Sequence, residues 1–478
     1  MSLKKGDQSN DIKKALFDEL IKKFQKCHDI IWEGGKRDPT TAFDEFSKLL
    51  MAKMYDEIRT LMGEEYSFQW KINDTTRDIV KRIKELYAQV RKLNSKVFKE
   101  ELGLPENIIA EIVKIIQAIS LIETDLDTKG RAFEQFLGKV FRDDYGQYFT
   151  PRTVVKFMVE VLEPTKADII MDPACGSGGF LLNSLLYMIE DQLNHYSEES
   201  KFRNFVHQLS GIEINDRVAR IAMLDLVIHG GTFNSIECNN ALLSYQELGK
   251  TQEIEPNKYS LILTNPPFGA VVRDNRILRN YTLGEGRENQ KTEILFIERC
   301  LDLLRPGGRL GIVLPDSVLT NSSLQYVREF ILERTKLLAI ISLPHHTFVP
   351  SGAGVKSSLL FMNKIDFDEK KPLMYFLKKM DQKKEEFNAN KDYPVFMAVA
   401  KHIGYDARGE EDINDLLGIL NDWKKYISES PLELKKSFVV KNSQLKNNFS
   451  ADKFVFYSAY RIGLRACPRG FGVRDEHR

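Results

Sequence analysis

The sequence has little that would tie it to a special environment. Its five cysteines stand at 27, 175, 238, 300 and 467, with no Cys-x-x-Cys pair and no metal-ligand spacing. That excludes a disulfide framework or zinc ribbon and fits a reducing cytoplasm. No apolar run is long enough to cross a bilayer, and the basic start MSLKKGDQSN has no apolar segment behind it. Neither a membrane span nor a secretory signal is expected. Charge of either sign is not in surplus: 69 Lys and Arg face 68 Asp and Glu, a formal net charge of +1. Contact with nucleic acid must therefore come from a local patch or a partner subunit. The glycine-rich turn at 176–179 carries neither the Gly-Lys-Ser/Thr ending of a P-loop nor the GxGxxG spacing of a dinucleotide fold. There is no internal repeat or low-complexity tract.

What remains is a chain of 478 residues, 42% hydrophobic and 29% charged, long enough for about three domains. Residues 1–140 read as helical. FDEFSKLLMAKMYDEI and TRDIVKRIKELYAQVRKLNSKVF repeat apolar positions every three or four residues, and Pro105 sits where a helix would begin. From about 141 to 365 the pattern alternates. Short apolar runs such as ADIIMDP, HQLSGIEIN, YSLILTNPP and GRLGIVLPD are separated by amphipathic stretches of ten or more residues. Such alternation predicts an α/β fold with a doubly wound, mostly parallel sheet. Residues 366–478 read as a C-terminal mixed or helical extension, whose tail RIGLRACPRGFGVRDEHR has no periodicity.

Four stretches fall in the order needed to line one edge of that sheet. In IIMDPACGSGGF an apolar run ends at Asp172 and a glycine turn opens a helix. Gly176, Gly178 and Gly179 tolerate positive φ and a close backbone approach, while Asp172 puts a carboxylate beside the turn, suited to a cationic ligand. A tight structural turn gives the same pattern. LSGIEIN ends at Glu213, whose carboxylate can accept from a ribose diol; an exposed strand-end acid is the plainer reading. GQYFTPR precedes the first strand, where Thr150 is placed to cap the next helix or the segment is a simple linker. SLILTNPPFGA stops at Asn265-Pro266-Pro267-Phe268. The prolines end the strand and stiffen the loop beyond it, so Asn265 is held at a strand tip.

These stretches, with RPGGRLGIVLP and SLPHHTFVPSGAGVKSSLLFM, resemble the amino-group DNA methyltransferases that use S-adenosylmethionine. The similarity is greatest to the modification (M) subunit of type I restriction-modification systems, strongest over residues 140–365. The resemblance implies a class I methyltransferase fold, a Rossmann-like seven-stranded sheet behind a helical N-terminal domain. It also implies N6-adenine methylation of double-stranded DNA. Gln147, Tyr148, Phe149, Thr150, Pro151 and Arg152 match the loop that closes over the methionine part of the cofactor. Asp172, Ala174, Gly176, Ser177, Gly178 and Gly179 match the turn beneath it, and Glu213 matches the ribose-binding carboxylate. Asn265, Pro266, Pro267 and Phe268 match the catalytic tetrapeptide. Asn240, in ECNNALL, stands where related enzymes often carry aspartate, and its assignment to cofactor or base is a departure from the pattern. Partners implied are a specificity (S) subunit holding two M subunits and a restriction (R) subunit.

Other features have plainer readings beside the functional ones. His345 and His346 have no third ligand nearby, so no metal site is expected. Phe348 fits a base contact or a core aromatic equally well, and Arg273, Arg276 and Arg279 fit DNA phosphates or a solvated loop. The same tetrapeptide geometry also serves methylation of protein glutamine or RNA adenine, and a non-catalytic nucleotide-binding scaffold is the alternative from another class.

Overall fold

The computed structural model describes residues 2–33, 38–141, 150–193, 208–248, 254–349, 354–365, 393–428 and 437–445, with 449 and 451. Five helices come first: α1 (Phe17–Trp32), α2 (Pro39–Arg59), α3 (Thr76–Leu93), α4 (Glu106–Ile116) and α5 (Leu126–Phe141). Their boundaries follow local chemistry. Thr75 and Asp78 form a reciprocal capping box at the start of α3, and Pro105 is the N-cap of α4. On α3 the apolar positions Ile79, Val80, Ile83, Tyr87 and Val90 form one buried face.

Beyond the helices lies a nine-stranded sheet. Its strands are β1 (Ile170–Asp172), β2 (Leu209–Glu213), β3 (Ile236–Cys238), β4 (Tyr259–Thr264), β5 (Leu304–Pro315), β6 (Thr335–Ser342), β7 (Ser357–Lys364), β8 (Pro394–Val399) and β9 (Ser437–Lys441). They lie in the order β9-β8-β6-β7-β5-β4-β1-β2-β3. β7 runs antiparallel to both neighbours and β9 antiparallel to β8; the other pairs are parallel. Seven strands were expected, and the sheet has two more. The segment PVFMAV of β8 is buried over most of its length, so it lacks the alternation that marks a half-exposed strand. The charge-dense sequence before it hides it further.

Successive residues of a strand feed opposite faces. Leu261 and Leu263 pack with α6 (Arg152–Leu162), α7 (Gly179–Leu193) and α8 (Asp216–Ile228). Ile262 packs with α9 (Thr292–Leu303) and α10 (Gln325–Arg334) on the other side. The chain builds outward from β1 to β3 and then returns to place β4 on the other flank of β1. This reversal makes the C-terminal ends of β1 and β4 the topological switch point, where open α/β sheets bind ligands.

The helices dock on the far edge of the sheet through polar side chains. Arg220 of α8, fully buried, pairs with Asp44 of α2 at 2.6 Å and donates to the Val97 carbonyl at 2.8 Å. Lys48 also reaches Asp44, at 3.3 Å. Asn94 Nδ2 donates to the Ile236 carbonyl of β3 at 2.8 Å, and Lys96 pairs with Glu237 of the same strand. The exposed edge of β3 is thereby covered, which removes a pairing hazard.

Candidate active site

β1 delivers Asp172 to the switch point with only 1% of its surface exposed. Its Oδ1 accepts from the Ala174 N–H at 3.1 Å, and its Oδ2 has no hydrogen-bond partner. Burial pushes this carboxyl up to about 7. The Glu213 charge adds to the rise, and the Ala174 N–H and the Thr264 hydroxyl, which approaches without completing a hydrogen bond, pull it back. A buried acid with one bare oxygen is a strong acceptor for a cationic group.

The turn after Asp172 needs its glycines. Gly176 has φ +53° and Gly178 φ +86°, and a Cβ on Gly178 would lie 3.3 Å from the Ala222 Cβ of α8. The Gly176 N–H donates to Glu213 Oε2 at 3.1 Å, tying the turn to the tip of β2. Glu213 Oε1 accepts from the Asn215 N–H at 2.7 Å. Burial raises the Glu213 carboxyl, and these N–H groups oppose the rise. Ser177 and Ala174 are half-buried in the turn, and Gly179 opens α7. Sequence reading passes over Ile214, which is 68% exposed beside Glu213. The available signal is an apolar residue between an acidic strand tip and the helix cap Asn215.

Across the switch point, β4 ends at Thr264 and hands on directly to Asn265. Its Nδ2 donates to Thr150 Oγ1 at 3.1 Å, while its Oδ1 is shielded from solvent without a partner. Pro266 is buried, Pro267 exposed and Phe268 half-buried. The Phe268 ring meets Phe348 edge-on, with centroids 6.1 Å apart and planes at 89°. Phe348 is itself buried, so it buttresses Phe268 from the core.

Thr150 does not cap α6. The N-cap of that helix is Pro151, which makes no side-chain cap, so Thr150 lies one residue too early and its hydroxyl turns to Asn265 instead. Arg152 is exposed on the first turn of α6. Gln147, Tyr148 and Phe149 lie outside the described residues. Asn240, beyond the tip of β3, spends its Oδ1 on the Leu242 N–H at 3.0 Å in a local turn. His346 Nε2 lies 3.1 Å from the Tyr405 carbonyl, and no metal-holding cluster occurs among the described residues. Arg273 and Arg279 are exposed, whereas Arg276 forms a two-pronged pair with Asp274.

The strand order, the glycine turn, the acidic tip of β2 and the Asn-Pro-Pro-Phe tip of β4 thus share one edge. The family profile described as N-6 DNA Methylase matches residues 124–395, more than half of the chain. The chain belongs to the N-6 DNA methylase family. Among curated relatives of this N-6 DNA methylase chain is the type I restriction enzyme StySJI methylase subunit of Salmonella typhimurium. It is 26% identical over 367 residues, covering 72% of this chain and 67% of the relative. The type I restriction enzyme EcoEI methylase subunit of Escherichia coli is 26% identical over 257 residues, 52% of this chain and 50% of its own length. The chain therefore spans between half and two thirds of these relatives. A crystal structure of the type I restriction-modification methyltransferase subunit from Streptococcus thermophilus superposes with a TM-score of 0.60. Its sequence identity is 17%, and the match covers 93% of this chain and 98% of that one. The fold is that of the class I methyltransferases with a helical N-terminal region, and β8 and β9 extend its sheet.

Proposed function

We propose that this chain methylates the N6 amino group of adenine in double-stranded DNA. In this reading S-adenosylmethionine is the donor, and the chain is the modification subunit of a type I restriction-modification complex. The observation that carries the reading is Asn265: a shielded, unpartnered side-chain oxygen on a proline-stiffened strand tip, beside a glycine turn with two acidic neighbours. The residues present suit the cofactor. The bare Oδ2 of Asp172 fits its cationic amino group, the positive-φ turn at Gly176 and Gly178 admits a close approach, Glu213 fits its ribose and Ile214 offers an apolar lip to its flat base. When bound, S-adenosylmethionine supplies an electrophilic methyl group on a sulfonium.

The adenine amino group is a poor nucleophile because its lone pair is delocalised into the ring. Hydrogen bonds accepted from it by Asn265 Oδ1 and the Pro266 carbonyl bias the nitrogen toward tetrahedral geometry and free its lone pair. Phe268, braced by Phe348, stacks on the base and fixes its distance. Orientation and fixed dipoles do this work, so no strong general base is required. A base inside a duplex cannot reach such a tip, so it must be flipped out. Sequence choice belongs to a separate S subunit, with two M subunits on each and an R subunit in the full complex. The working compartment is the cytoplasm.

The test is to co-express the chain with the S subunit of its neighbouring locus and map methylated adenine in host DNA, with Asn265→Ala in parallel. A single bipartite motif methylated at adenine, and reduced at least about a hundredfold in rate by Asn265→Ala, is expected. No modified adenine in either strain would move the substrate to RNA or to a protein amide.

A further inference from the structure

Outside the Asp172–Glu213 and Asn265–Phe268 residues, one buried carboxylate faces the back of the Asn265–Phe268 tip. After the tip the chain forms a short ribbon in which Val271 pairs with Lys291 and Val272 with Gln290. The ribbon brings the start of α9 against the loop. The Gly269 N–H donates to Glu293 Oε2 at 3.1 Å. The Thr292 hydroxyl is shared between the carbonyls of Pro267, at 2.9 Å, and Ala270, at 3.1 Å. The Thr292 N–H also donates to the Ala270 carbonyl at 2.9 Å. Glu293 is 1% exposed, and it stands in the first turn of a helix, where a negative charge is favoured.

The loop needs such support from outside itself. Pro266 and Pro267 have no N–H, so they cannot be anchored by donating to a neighbouring strand. Gly269 has φ +75°, a conformation no ladder would impose. With two of its N–H groups removed by proline, the loop draws support through its carbonyls and through the Gly269 N–H. Those are the groups that Thr292 and Glu293 hold.

We infer that Thr292 and Glu293 are positioning residues for the acceptor tip, a role that rests on the methyl-transfer reading. The two side chains act through the loop: fixing the Pro267 carbonyl and the Gly269 N–H holds the peptide planes on either side of Phe268. The Pro266 carbonyl and the Phe268 ring then keep one orientation. A role in folding alone would lower stability and leave turnover per folded molecule unchanged. A positioning role lowers kcat and spares cofactor affinity, because neither residue belongs to the Asp172–Glu213 side of the edge.

The experiment uses the full chain complexed with its S subunit and measures methyl transfer to DNA, S-adenosylmethionine affinity by calorimetry, and melting. Thr292→Val, Thr292→Ser, Glu293→Ala and Glu293→Gln run beside the unaltered chain and Asn265→Ala. Thr292→Val and Glu293→Ala are expected to lower kcat by about ten- to a hundredfold with cofactor affinity within about twofold. Thr292→Ser and Glu293→Gln keep a hydroxyl and an acceptor oxygen, and should stay within about threefold of the unaltered kcat. Thr292 is half-buried and valine matches its shape, so Thr292→Val carries the test should Glu293→Ala fail to fold. Unchanged kcat in Thr292→Val while Asn265→Ala is inactive overturns the positioning role and leaves the parent reading intact. An equal loss of kcat in the Ser and Gln variants also overturns it. An unaltered complex that methylates no adenine removes the parent reading and this inference together.

Discussion

Replacing Asp172 with asparagine exchanges a titrating buried carboxyl for a neutral group of the same shape. In the folded chain that carboxyl sits at about 7, against an ordinary 3.8, mainly because it is buried. The gap corresponds to about 4 kcal/mol at 1.36 kcal/mol per pKa unit. The sign is set by the folded value lying above the unfolded one. Stability is fully present below pH 3.8, where both states are protonated, and is lost as the pH rises through about 7. About two thirds of the effect, or about 3 kcal/mol, falls between roughly pH 5 and pH 8. Urea unfolding of the unaltered chain and Asp172→Asn across that range should show the variant gaining on the parent by that amount. Cofactor affinity should move the opposite way: a cationic amino group needs the carboxylate, so binding to the unaltered chain strengthens as the pH rises through 7. In Asp172→Asn it should be weaker and flat. Parallel stability curves, within about 0.5 kcal/mol over the range, would refute the reasoning.

The same geometry fixes two further outcomes. Asp44→Ala leaves the buried Arg220 with only the longer Asp216 contact at 3.5 Å and the Val97 carbonyl, and should cost about 3 kcal/mol, read as earlier unfolding and as easier proteolysis between the helices and the sheet. Ile214→Ala removes exposed apolar surface that the free protein does not use. It should leave the melting temperature of the cofactor-free chain unchanged and weaken S-adenosylmethionine binding by about 1–2 kcal/mol in calorimetry.

Much of the edge is legible in the sequence because it is punctuated by residues that have few other uses. Proline pairs end strands, glycines at positive φ end in tight turns, and an acid after an apolar run marks a strand tip. Order alone therefore puts Asp172, Glu213 and Asn265 on one edge, and the structure brings them to the ends of β1, β2 and β4. Thr292 and Glu293 are not legible, because TEILFIERC reads as an ordinary helix start and its contacts to the tip depend on a ribbon only four residues in extent. Thr150 misleads for a related reason: a threonine before a proline satisfies the local capping rule, but its actual partner is 115 residues away. β8 escapes detection because a strand buried on both faces carries no alternation.

The paired prolines have one more consequence, in the polarity of the tip. Pro266 and Pro267 offer no N–H, and Thr150 accepts one of the two hydrogens of the Asn265 amide nitrogen. On the proposed function, the groups the tip turns to a visiting base are chiefly oxygens, the Asn265 Oδ1 and the Pro266 carbonyl. A base edge that carries an amino group meets acceptors, whereas one that carries a carbonyl there, as thymine or guanine would, sets oxygen against oxygen. Each such unmatched group costs about 1–3 kcal/mol once water is excluded. On the proposed function, the strand tip would thus sort amino bases from keto bases by the acceptors it presents, before any bond is made or broken.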